Sequence, residues 1–344
     1  MTIKDIAEIA QVSKGTVSRV LNEGPGVGEE TRRRVLKLIE SLDFHPNAAA
    51  RGLAARRTNT IGFVIPHTGR YSMTSTFWPV LLTAITEQAA ARGINVLLST
   101  TRSEDDVDSA FRTILRGRRI DGAIVGAEQV GERQLAELVM KNIPFVMVGK
   151  QPHVTPWCVD VDNAAGARMA TEHLIGMGHR SITMLAGPAH LPYVQDRIRG
   201  FQHAMSAKGL NGSCVLHCPY QTEEVIRTAH QALDGNRETT AIFAAAGDLV
   251  LGTLKACQEA GRAVPGDLSL VSFDDHPFFA HFSPAVTAVS QPLEEMGRAA
   301  VDMLFQLMDG KEPPRRAVVL PPLLVQRGSC SAALTVWKPL VEGE

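Results

Sequence analysis

Short runs of apolar residues alternate with segments of helical periodicity from residue 60 onward, and this alternation limits the fold more than any other feature of the chain. Runs that are apolar throughout are typical of strands buried on both faces of a parallel sheet. They occur in two series, at 60–66, 94–98, 122–125 and 145–148, and then at 181–185, 241–244 and 268–273. Helices are predicted between them, over 77–93, 106–117, 133–141, 165–177, 196–208 and 249–260. Two such series in one chain predict two lobes with a cleft between them.

The length and the distribution of charge limit the class of protein. The chain has 344 residues, which suggests two or three domains. Residues 1–59 hold ten Lys and Arg against seven Asp and Glu, whereas the remainder holds 25 against 29. A basic N-terminal module on an acidic body suits a polyanionic partner, although a solvated charged surface gives the same balance. No apolar run reaches the roughly 18 residues of a membrane helix, and no signal peptide opens the chain, so we expect a cytoplasmic protein without a membrane partner.

Nothing in the sequence indicates a cofactor, a metal site or catalysis. The five cysteines are scattered, and Cys214 and Cys218 flank His217 without a second ligand pair at zinc-finger spacing. We expect reduced thiols, with no bound metal and no cofactor. The motifs of serine hydrolases, zinc peptidases and phosphate-binding loops do not occur. Asp274 and Asp275 are paired acids, but adjacent residues point apart, so we expect no catalytic dyad and no enzyme.

The first 45 residues have the pattern of three short helices. Apolar residues at helical spacing define the first two helices: Ile3, Ile6, Ala7, Ile9 and Ala10, then Thr16, Val17, Val20 and Leu21. Ser13 follows a break in the pattern and can cap the second helix, which makes the pair a helix-turn-helix. A third helix is predicted over 29–42, with an inward face of Val35, Leu36, Leu38, Ile39 and Leu42.

In a helix-turn-helix the N-terminal residues of the second helix contact base edges in the major groove of DNA. The outward residues here are small, hydroxylated or cationic: Ser13, Lys14, Gly15, Thr16, Ser18 and Arg19. Small residues allow close approach, hydroxyls reach phosphates, and Arg19 can donate two hydrogen bonds to guanine. A three-helix bundle whose polar face has no function is the alternative that this pattern leaves open.

Three segments resemble a known family. They are Thr2–Asn22 (T-I-K-D-I-A-E-I-A-Q-V-S-K-G-T-V-S-R-V-L-N), Thr31–Val35 (T-R-R-R-V) and Phe44–Leu53 (F-H-P-N-A-A-A-R-G-L). On these residues the chain resembles the LacI/GalR family of transcriptional regulators, and the similarity continues at lower density to about residue 330. The resemblance implies that DNA is bound by Thr2, Ser13, Lys14, Gly15, Thr16, Ser18, Arg19, Asn22, Thr31, Asn47, Ala50, Arg51 and Leu53.

The segment 46–59 is expected to be a hinge helix. Pro46 fits a helix start and the alanines that follow favour a helix, yet about ten residues are too few to be stable alone in water. The resemblance implies that this helix forms in the minor groove beside its two-fold mate, with Leu53 wedged into the central base step. We therefore expect a homodimer on a near-palindromic double-stranded DNA operator. The tail 331–344 contains no heptads for a further coiled coil.

The resemblance also implies the fold class and the domain organisation. The expected fold is an N-terminal all-α helix-turn-helix headpiece with a hinge helix, followed by a two-lobe α/β sensor domain of the periplasmic-binding-protein type I fold with parallel sheets. The expected domains are the headpiece 1–45, the hinge 46–59, the sensor N-lobe 60–160 plus 291–320, and the sensor C-lobe 161–290 plus 321–344. The chain would then cross between the lobes three times, near 160, 290 and 322.

Charged residues follow predicted strands of the second series. Arg197, Asp248 and Asp274 come after strands whose carboxyl ends should meet at the cleft. Charged groups there suit a polyhydroxyl ligand, because each hydroxyl can both donate and accept a hydrogen bond. Three aromatic residues could stack against such a ligand, although residues of this type are as often part of a core: Phe77, Trp78 and Tyr220.

The resemblance assigns effector contacts to Arg197 in the R-x-x-G-F motif, to Asp274, to Gln291 and to the Phe77–Trp78 pair. Gly247 departs from the family, which has Asn at this position, and the loss of an amide leaves the identity of the effector open. Lys150 could meet an anionic ligand, although a surface lysine is the simpler interpretation. The 67–76 loop could extend over the cleft.

We therefore expect a sequence-specific DNA-binding transcriptional regulator, acting as a repressor. A small-molecule effector bound between the lobes would control its affinity for the operator, and a carbohydrate such as a glycoside is the expected class. Two alternatives stay open: the same architecture responding to a purine or nucleoside, and a sugar-binding protein that does not bind DNA.

Overall fold

The computed structural model describes residues 2–21, 24–44, 57–65, 76–100, 111–112, 114–115, 119–127, 131–151, 156–210, 214–235 and 239–333. The chain forms two compact units, Met1–Asn59 and Thr60–Glu344. The predicted fold class is confirmed by the helix-turn-helix of the first unit and the two mainly parallel sheets of the second. Residues 46–56 of the predicted hinge helix lie outside the described residues, and the domain limits stay predictions.

The N-terminal unit consists of helices α1 (Ile3–Ile9), α2 (Lys14–Leu21) and α3 (Glu29–Ser41). Thr2 and Asp5 form a capping box at the start of α1, and the Ser13 hydroxyl accepts a hydrogen bond from the Thr16 amide at 3.1 Å. The predicted Ser13 cap is therefore confirmed. A small apolar core joins the three helices, with Ile6, Val17, Val20, Val35 and Phe44 buried in it.

One predicted core position is wrong. Leu36 was expected on the inward face of α3, but it is 46% exposed within the chain, and the buried residue beside it is Val35. The hydrophobic residues of α3 extend around the helix beyond the stripe that a single partner face can cover. Ile9 on α1 is likewise exposed.

The C-terminal unit begins with a six-stranded parallel sheet. Its strands are β1 (Thr60–Ile65), β2 (Asn95–Thr100), β3 (Gly122–Gly126), β4 (Phe145–Val148), β5 (Cys158–Val161) and β11 (Ala317–Leu320). They lie in the order β11-β5-β4-β3-β1-β2, and all pairs are parallel. Besides the helical residues 111–112 and 114–115, three helices belong to this part of the chain: α4 (Phe77–Ala90), α5 (Glu132–Met140) and α10 (Leu293–Met308). Strands buried on both faces need helices on both sides of the sheet, which explains their continuous apolar runs.

A second six-stranded sheet follows the same plan. Its strands are β6 (Ile182–Ala186), β7 (Cys214–His217), β8 (Ala241–Ala244), β9 (Ser269–Phe273), β10 (Thr287–Ser290) and β12 (Leu323–Val325). The order is β12-β10-β9-β8-β6-β7, and β12 alone is antiparallel to its neighbour. The helices are α6 (Asn163–Gly176), α7 (Pro192–Ala207), α8 (Thr222–Gly235) and α9 (Asp248–Glu259), with a 3-10 turn at Pro277–His281.

The chain passes between the two sheets three times, after β5, after β10 and between β11 and β12. As a result α10, which follows a strand of the second sheet, packs on α4 and completes the core beside the first. Gly297 permits this contact, because a Cβ atom there would lie 2.7 Å from that of Ala84. The three crossings keep the carboxyl ends of both sheets next to each other, and the candidate site lies at these ends.

Several predicted element limits need correction. The helix predicted over 196–208 begins at Pro192, since proline is favoured in the first turn of a helix. The helix predicted over 165–177 begins at Asn163, capped by the Asp162 carboxylate. Of the helix predicted over 106–117, residues 111–112 and 114–115 are described, and they are helical. Several elements were not predicted: β5, β7, α8, β10, α10, β11 and β12.

None of the helices in the described part of the chain is both long and apolar enough to cross a membrane. All five cysteines are free thiols, as expected.

Candidate functional site

A cavity of about 930 Å³, counting the space open to solvent, lies where the carboxyl ends of the two sheets meet. Residues from both halves of the C-terminal unit line it. From the first half these are Phe77, Trp78, Ala127, Val148, Gly149, Lys150 and Asp160. From the second half and the crossings they are Asn163, Pro192, Tyr193, Arg197, Tyr220, Ala246, Asp248, Asp274 and Gln291. The lining mixes aromatic faces with charged groups, which is typical of sites for small molecules.

Arg197 organises one wall of the cavity although it is only 4% exposed. Its Nε donates to Asn163 Oδ1 at 2.9 Å, and its Nη1 donates to the Ala245 carbonyl at 2.7 Å. The guanidinium lies over the ring of Phe273, 3.6 Å from its centroid. Gly200 lies on the same face of α7 and lets the helix approach α6, because a Cβ atom there would lie 2.1 Å from the Ala164 carbonyl oxygen. Close helix packing therefore fixes the position of the arginine.

Asp274 faces Arg197 from the end of β9. Its Oδ2 lies 3.6 Å from Arg197 Nη1 and accepts a longer hydrogen bond, at 3.4 Å, from the Gly247 amide. Gln291 Nε2 donates to its Oδ1. Asp274 has a φ of +73°, a left-handed conformation that non-glycine residues rarely adopt. This backbone geometry is one that the surrounding structure must hold in place.

The adjacent acid has a different partner. Asp275 accepts two hydrogen bonds from Arg327, at 2.7 and 2.8 Å, and Arg327 also donates to the Val286 carbonyl at 2.7 Å. The expectation that Asp274 and Asp275 point apart is therefore confirmed. A bidentate ion pair of this kind anchors the loop after β9 beside the left-handed residue.

Two further carboxyl groups line the cavity with raised pKa values. Burial raises the pKa of Asp160 to about 6, although the Val161 amide and the nearby Lys150 act in the opposite direction. Burial, and secondarily the negative charge of Asp274, raises the pKa of Asp248 to about 7. Perturbed carboxyl groups in a cavity are typical of functional sites.

The aromatic residues divide between core and cavity. Trp78 is 3% exposed and packs on Phe63 and Phe77, with the Phe77 and Trp78 ring centroids 4.8 Å apart. It is thus part of the core and also reaches the cavity wall. On the opposite side the hydroxyls of Tyr193 and Tyr220 share a hydrogen bond of 2.8 Å. Flat apolar faces therefore line both sides of the space.

Lys150 connects the two halves of the site. It follows β4 at the end of the first sheet, and its Nζ contacts the Asp196 carboxylate on α7. Asp196 is nearly buried and is also contacted by Arg199. Lys150 is thus an exposed lysine, as the simpler interpretation has it, and it also lines the cavity and pairs with an acid across it.

The space beside Gly247 is filled by a histidine. A Cβ atom at Gly247 would lie 2.7 Å from His276 Cδ2, so the amide side chain that the family has here would collide with the imidazole. His276 is 4% exposed, and burial lowers its pKa. His276 therefore occupies the space that a side chain at position 247 would need.

All seven residues predicted to bind the effector line this one cavity: Phe77, Trp78, Arg197, Tyr220, Asp248, Asp274 and Gln291. Their role as effector contacts stays a prediction. Sequence reasoning missed Asp160, Asn163 and Tyr193. Signals could have revealed two of them: Asp160 is an acid within the otherwise apolar strand β5, and Tyr193 is an aromatic residue one helical turn before Arg197.

The residues predicted to bind DNA are only partly described. Lys14, Gly15 and Arg19 are exposed on α2, while Thr16 and Ser18 are half-buried. Thr2 and Ser13 are exposed helix caps, and Thr31 is half-buried in the first turn of α3. Asn22, Asn47, Ala50, Arg51 and Leu53 lie outside the described residues. The described part of α2 therefore presents a short polar and cationic face.

A helix-turn-helix unit followed by a two-sheet ligand-binding unit defines a class of bacterial transcription regulator, and comparison with known proteins agrees. Residues 2–47 match the model of bacterial regulatory proteins of the lacI family, and residues 171–330 match that of a periplasmic binding protein-like domain. The transcriptional repressor PurR of Aliivibrio fischeri is 30% identical over 340 residues, covering 97% of this chain and 99% of the relative.

Two solved structures cover nearly the whole chain. A complex of the transcriptional regulator CelR with cellobiose is 29% identical, with a TM-score of 0.74, and the match covers 96% of this chain and 99% of that one. A lac repressor dimer bound to operator and the anti-inducer ONPF is 25% identical, with a TM-score of 0.86 and the same coverage. The chain therefore belongs to the lacI family of bacterial regulatory proteins. It is a DNA-binding transcriptional regulator with a ligand-binding domain, and not an enzyme.

Proposed function

We propose that this regulator is a repressor that binds a near-palindromic operator as a homodimer and releases it when a carbohydrate occupies the cavity. The observation that carries the proposal is the cavity itself, in which charged groups and aromatic faces from both halves of the C-terminal unit converge. Acceptors and donors placed between flat apolar surfaces suit a polyhydroxyl ring. A ligand that contacts both halves can favour one arrangement of them over another, which is the requirement for allosteric control.

The DNA-binding part of the proposal is supported by the first unit. Lys14, Thr16 and Arg19 are on the helix that enters the major groove in helix-turn-helix proteins, and Arg19 is the candidate for base readout. The lac repressor of similar fold is a dimer on its operator, which supports the same assembly here. We propose that the domain limits are those expected from the sequence, with the hinge at 46–59, and that the protein acts in the cytoplasm.

The class of effector is supported by the relative that binds cellobiose. A purine or nucleoside is the second candidate, because PurR is an equally extensive relative and because aromatic residues with an aspartate suit a base as well as a sugar. The two candidates require different contacts of Asp274. With a sugar, its carboxylate would accept hydrogen bonds from hydroxyl groups, and with a purine it would accept them from the N–H groups of the base.

A thermal-shift screen separates these candidates. The full chain is unfolded in the presence of cellobiose, monosaccharides, adenine, guanine and adenosine, each in large excess. A ligand at 100 times its Kd stabilises the native state by about 2.7 kcal/mol. Each ligand that shifts the Tm is then tested for release of an operator selected from random DNA by the protein itself. Stabilisation by a sugar with release of the operator supports the proposal, and stabilisation by purines alone contradicts it.

A further inference from the structure

The described residues that line the cavity carry more negative than positive groups. Three carboxyl groups belong to Asp160, Asp248 and Asp274, whereas the cationic groups are Lys150 and Arg197. A carboxylate withdrawn from water requires a compensating charge or several hydrogen-bond donors. Two cations can neutralise at most two of the three acids.

Both cations are already engaged. Lys150 contacts Asp196, which does not line the cavity. Arg197 donates to Asn163 and to the Ala245 carbonyl, and the acid it faces is Asp274. Neither cation contacts Asp248, so the positive charge that lines the cavity leaves this acid without a counterion in the described structure.

Asp248 is the half-buried acid that this charge imbalance leaves unpaired. It makes no hydrogen bond and no ion pair with any residue that the structure describes, and the charge that acts on it is the repulsive one of Asp274. It is the first residue of α9, where the helix dipole favours a negative charge. A cation placed against its carboxyl group would offset both the loss of solvation and the repulsion that raise its pKa to about 7.

We propose that the natural effector is an amino sugar, a polyhydroxyl ligand whose protonated amine lies against Asp248. This inference rests on the proposed carbohydrate-sensing function and makes its ligand more specific. Hydroxyl groups can satisfy the lone pairs of a carboxylate, but only an ammonium group also neutralises its charge. Tyr193 already lies under the Arg197 guanidinium, but Tyr220 also lines the cavity, and an aromatic ring is a favourable neighbour for a cation.

The test compares three disaccharides of one skeleton: the β-1,4-linked glucosamine dimer, its di-N-acetyl form and cellobiose. Isothermal titration of the full chain, at a pH where the amines are protonated, gives the three affinities. The same comparison is made with three monosaccharides: glucosamine, N-acetylglucosamine and glucose. We expect the amine to bind at least about tenfold more tightly than its neutral counterparts, as a charge-assisted hydrogen bond predicts.

Two variants test whether the preference for the amine depends on Asp248. Asp248→Asn removes the charge at nearly constant volume and should abolish the preference, so that the amino sugars bind to this variant no more tightly than their neutral counterparts do. Glu312→Gln removes an exposed carboxylate that does not line the cavity, and the preference for the amine should be unchanged in this variant. Thermal unfolding of each variant establishes that it is folded.

The outcomes separate this inference from the proposal beneath it. Equal binding of neutral and amino sugars, or a preference that survives in Asp248→Asn, overturns the amine assignment and leaves carbohydrate sensing intact. If no sugar of either set binds and adenosine or guanine does, carbohydrate sensing is wrong and the amine assignment with it.

Discussion

Replacing Gly200 by alanine tests how the site depends on helix packing. A Cβ atom at this position would lie 2.1 Å from the Ala164 carbonyl oxygen on α6, where an ordinary contact needs at least about 3.4 Å. The obstacle is backbone, which no change of rotamer can remove. Helix α7 would have to move away from α6 by roughly 1 Å, and the 2.9 Å hydrogen bond from Arg197 to Asn163 spans the same two helices.

The cost can be estimated from its parts. Overpacking against backbone costs about 1–3 kcal/mol, and the loss of a buried hydrogen bond from a charged donor costs about 1.5–3 kcal/mol. Alanine recovers about 1 kcal/mol through its better helix propensity. We expect a net loss of about 1.5–5 kcal/mol in the free energy of unfolding, and a Tm lower by several degrees. Ligand affinity should fall as well, because Arg197 moves with its helix.

Gly176→Ala is the matched control. Gly176 is the last residue of α6, and no atom lies within 4 Å of a Cβ placed there. This variant should be as stable as the parent or more stable by up to about 1 kcal/mol. Urea unfolding of both variants, followed by circular dichroism, gives the two differences. Equal stability of Gly200→Ala and Gly176→Ala would refute the packing argument.

Three further predictions follow from the charges. The free energy of unfolding of the ligand-free protein should fall as pH rises from about 4 to 7, because the native state keeps protons on Asp248 and Asp160 that the unfolded chain has released. Asp248→Asn should reduce this dependence on pH in urea titrations, and an unchanged dependence would contradict the raised pKa of Asp248. Asp275→Asn should lower the free energy of unfolding by about 1–3 kcal/mol and weaken ligand binding, because the ion pair with Arg327 anchors the loop that holds Asp274. Calorimetry that shows full ligand affinity in this variant would argue against that role of the ion pair. Arg19→Ala should cost about 1–3 kcal/mol of operator affinity with little loss on random DNA, and an equal loss on both would exclude base readout.

The sequence predicted the architecture because its signals are local. Fully apolar runs, the Ser13 cap and the break before it depend on near neighbours, and the corresponding elements form where the pattern places them. Elements at the crossings were missed because strands such as β11 and β12 have three or four residues and obtain their pairing from distant parts of the chain.

The candidate site was predictable where charged residues follow strands, as at Asp274, or where a family motif marks them, as at Arg197. The pairing of Lys150 with Asp196 was not predictable, because the two residues are 46 positions apart and are brought close only by the crossing of the chain. The pairing of Gly247 with His276 could not be predicted either, since it depends on the close approach of two loops. Contacts between the two halves of the unit are a property of the assembled fold.

The central claim is that a ligand in the cavity controls DNA binding, and Asp274→Asn tests it most directly. The variant keeps the side-chain volume but removes the charge that faces Arg197 and the ligand, and it leaves α2 unchanged. Fluorescence anisotropy of a labelled operator is measured with and without the sugar that gives the largest thermal shift. The account predicts an operator affinity equal to that of the parent and no release by the sugar. An operator affinity that is lost while the sugar still binds with its parental Kd would contradict it.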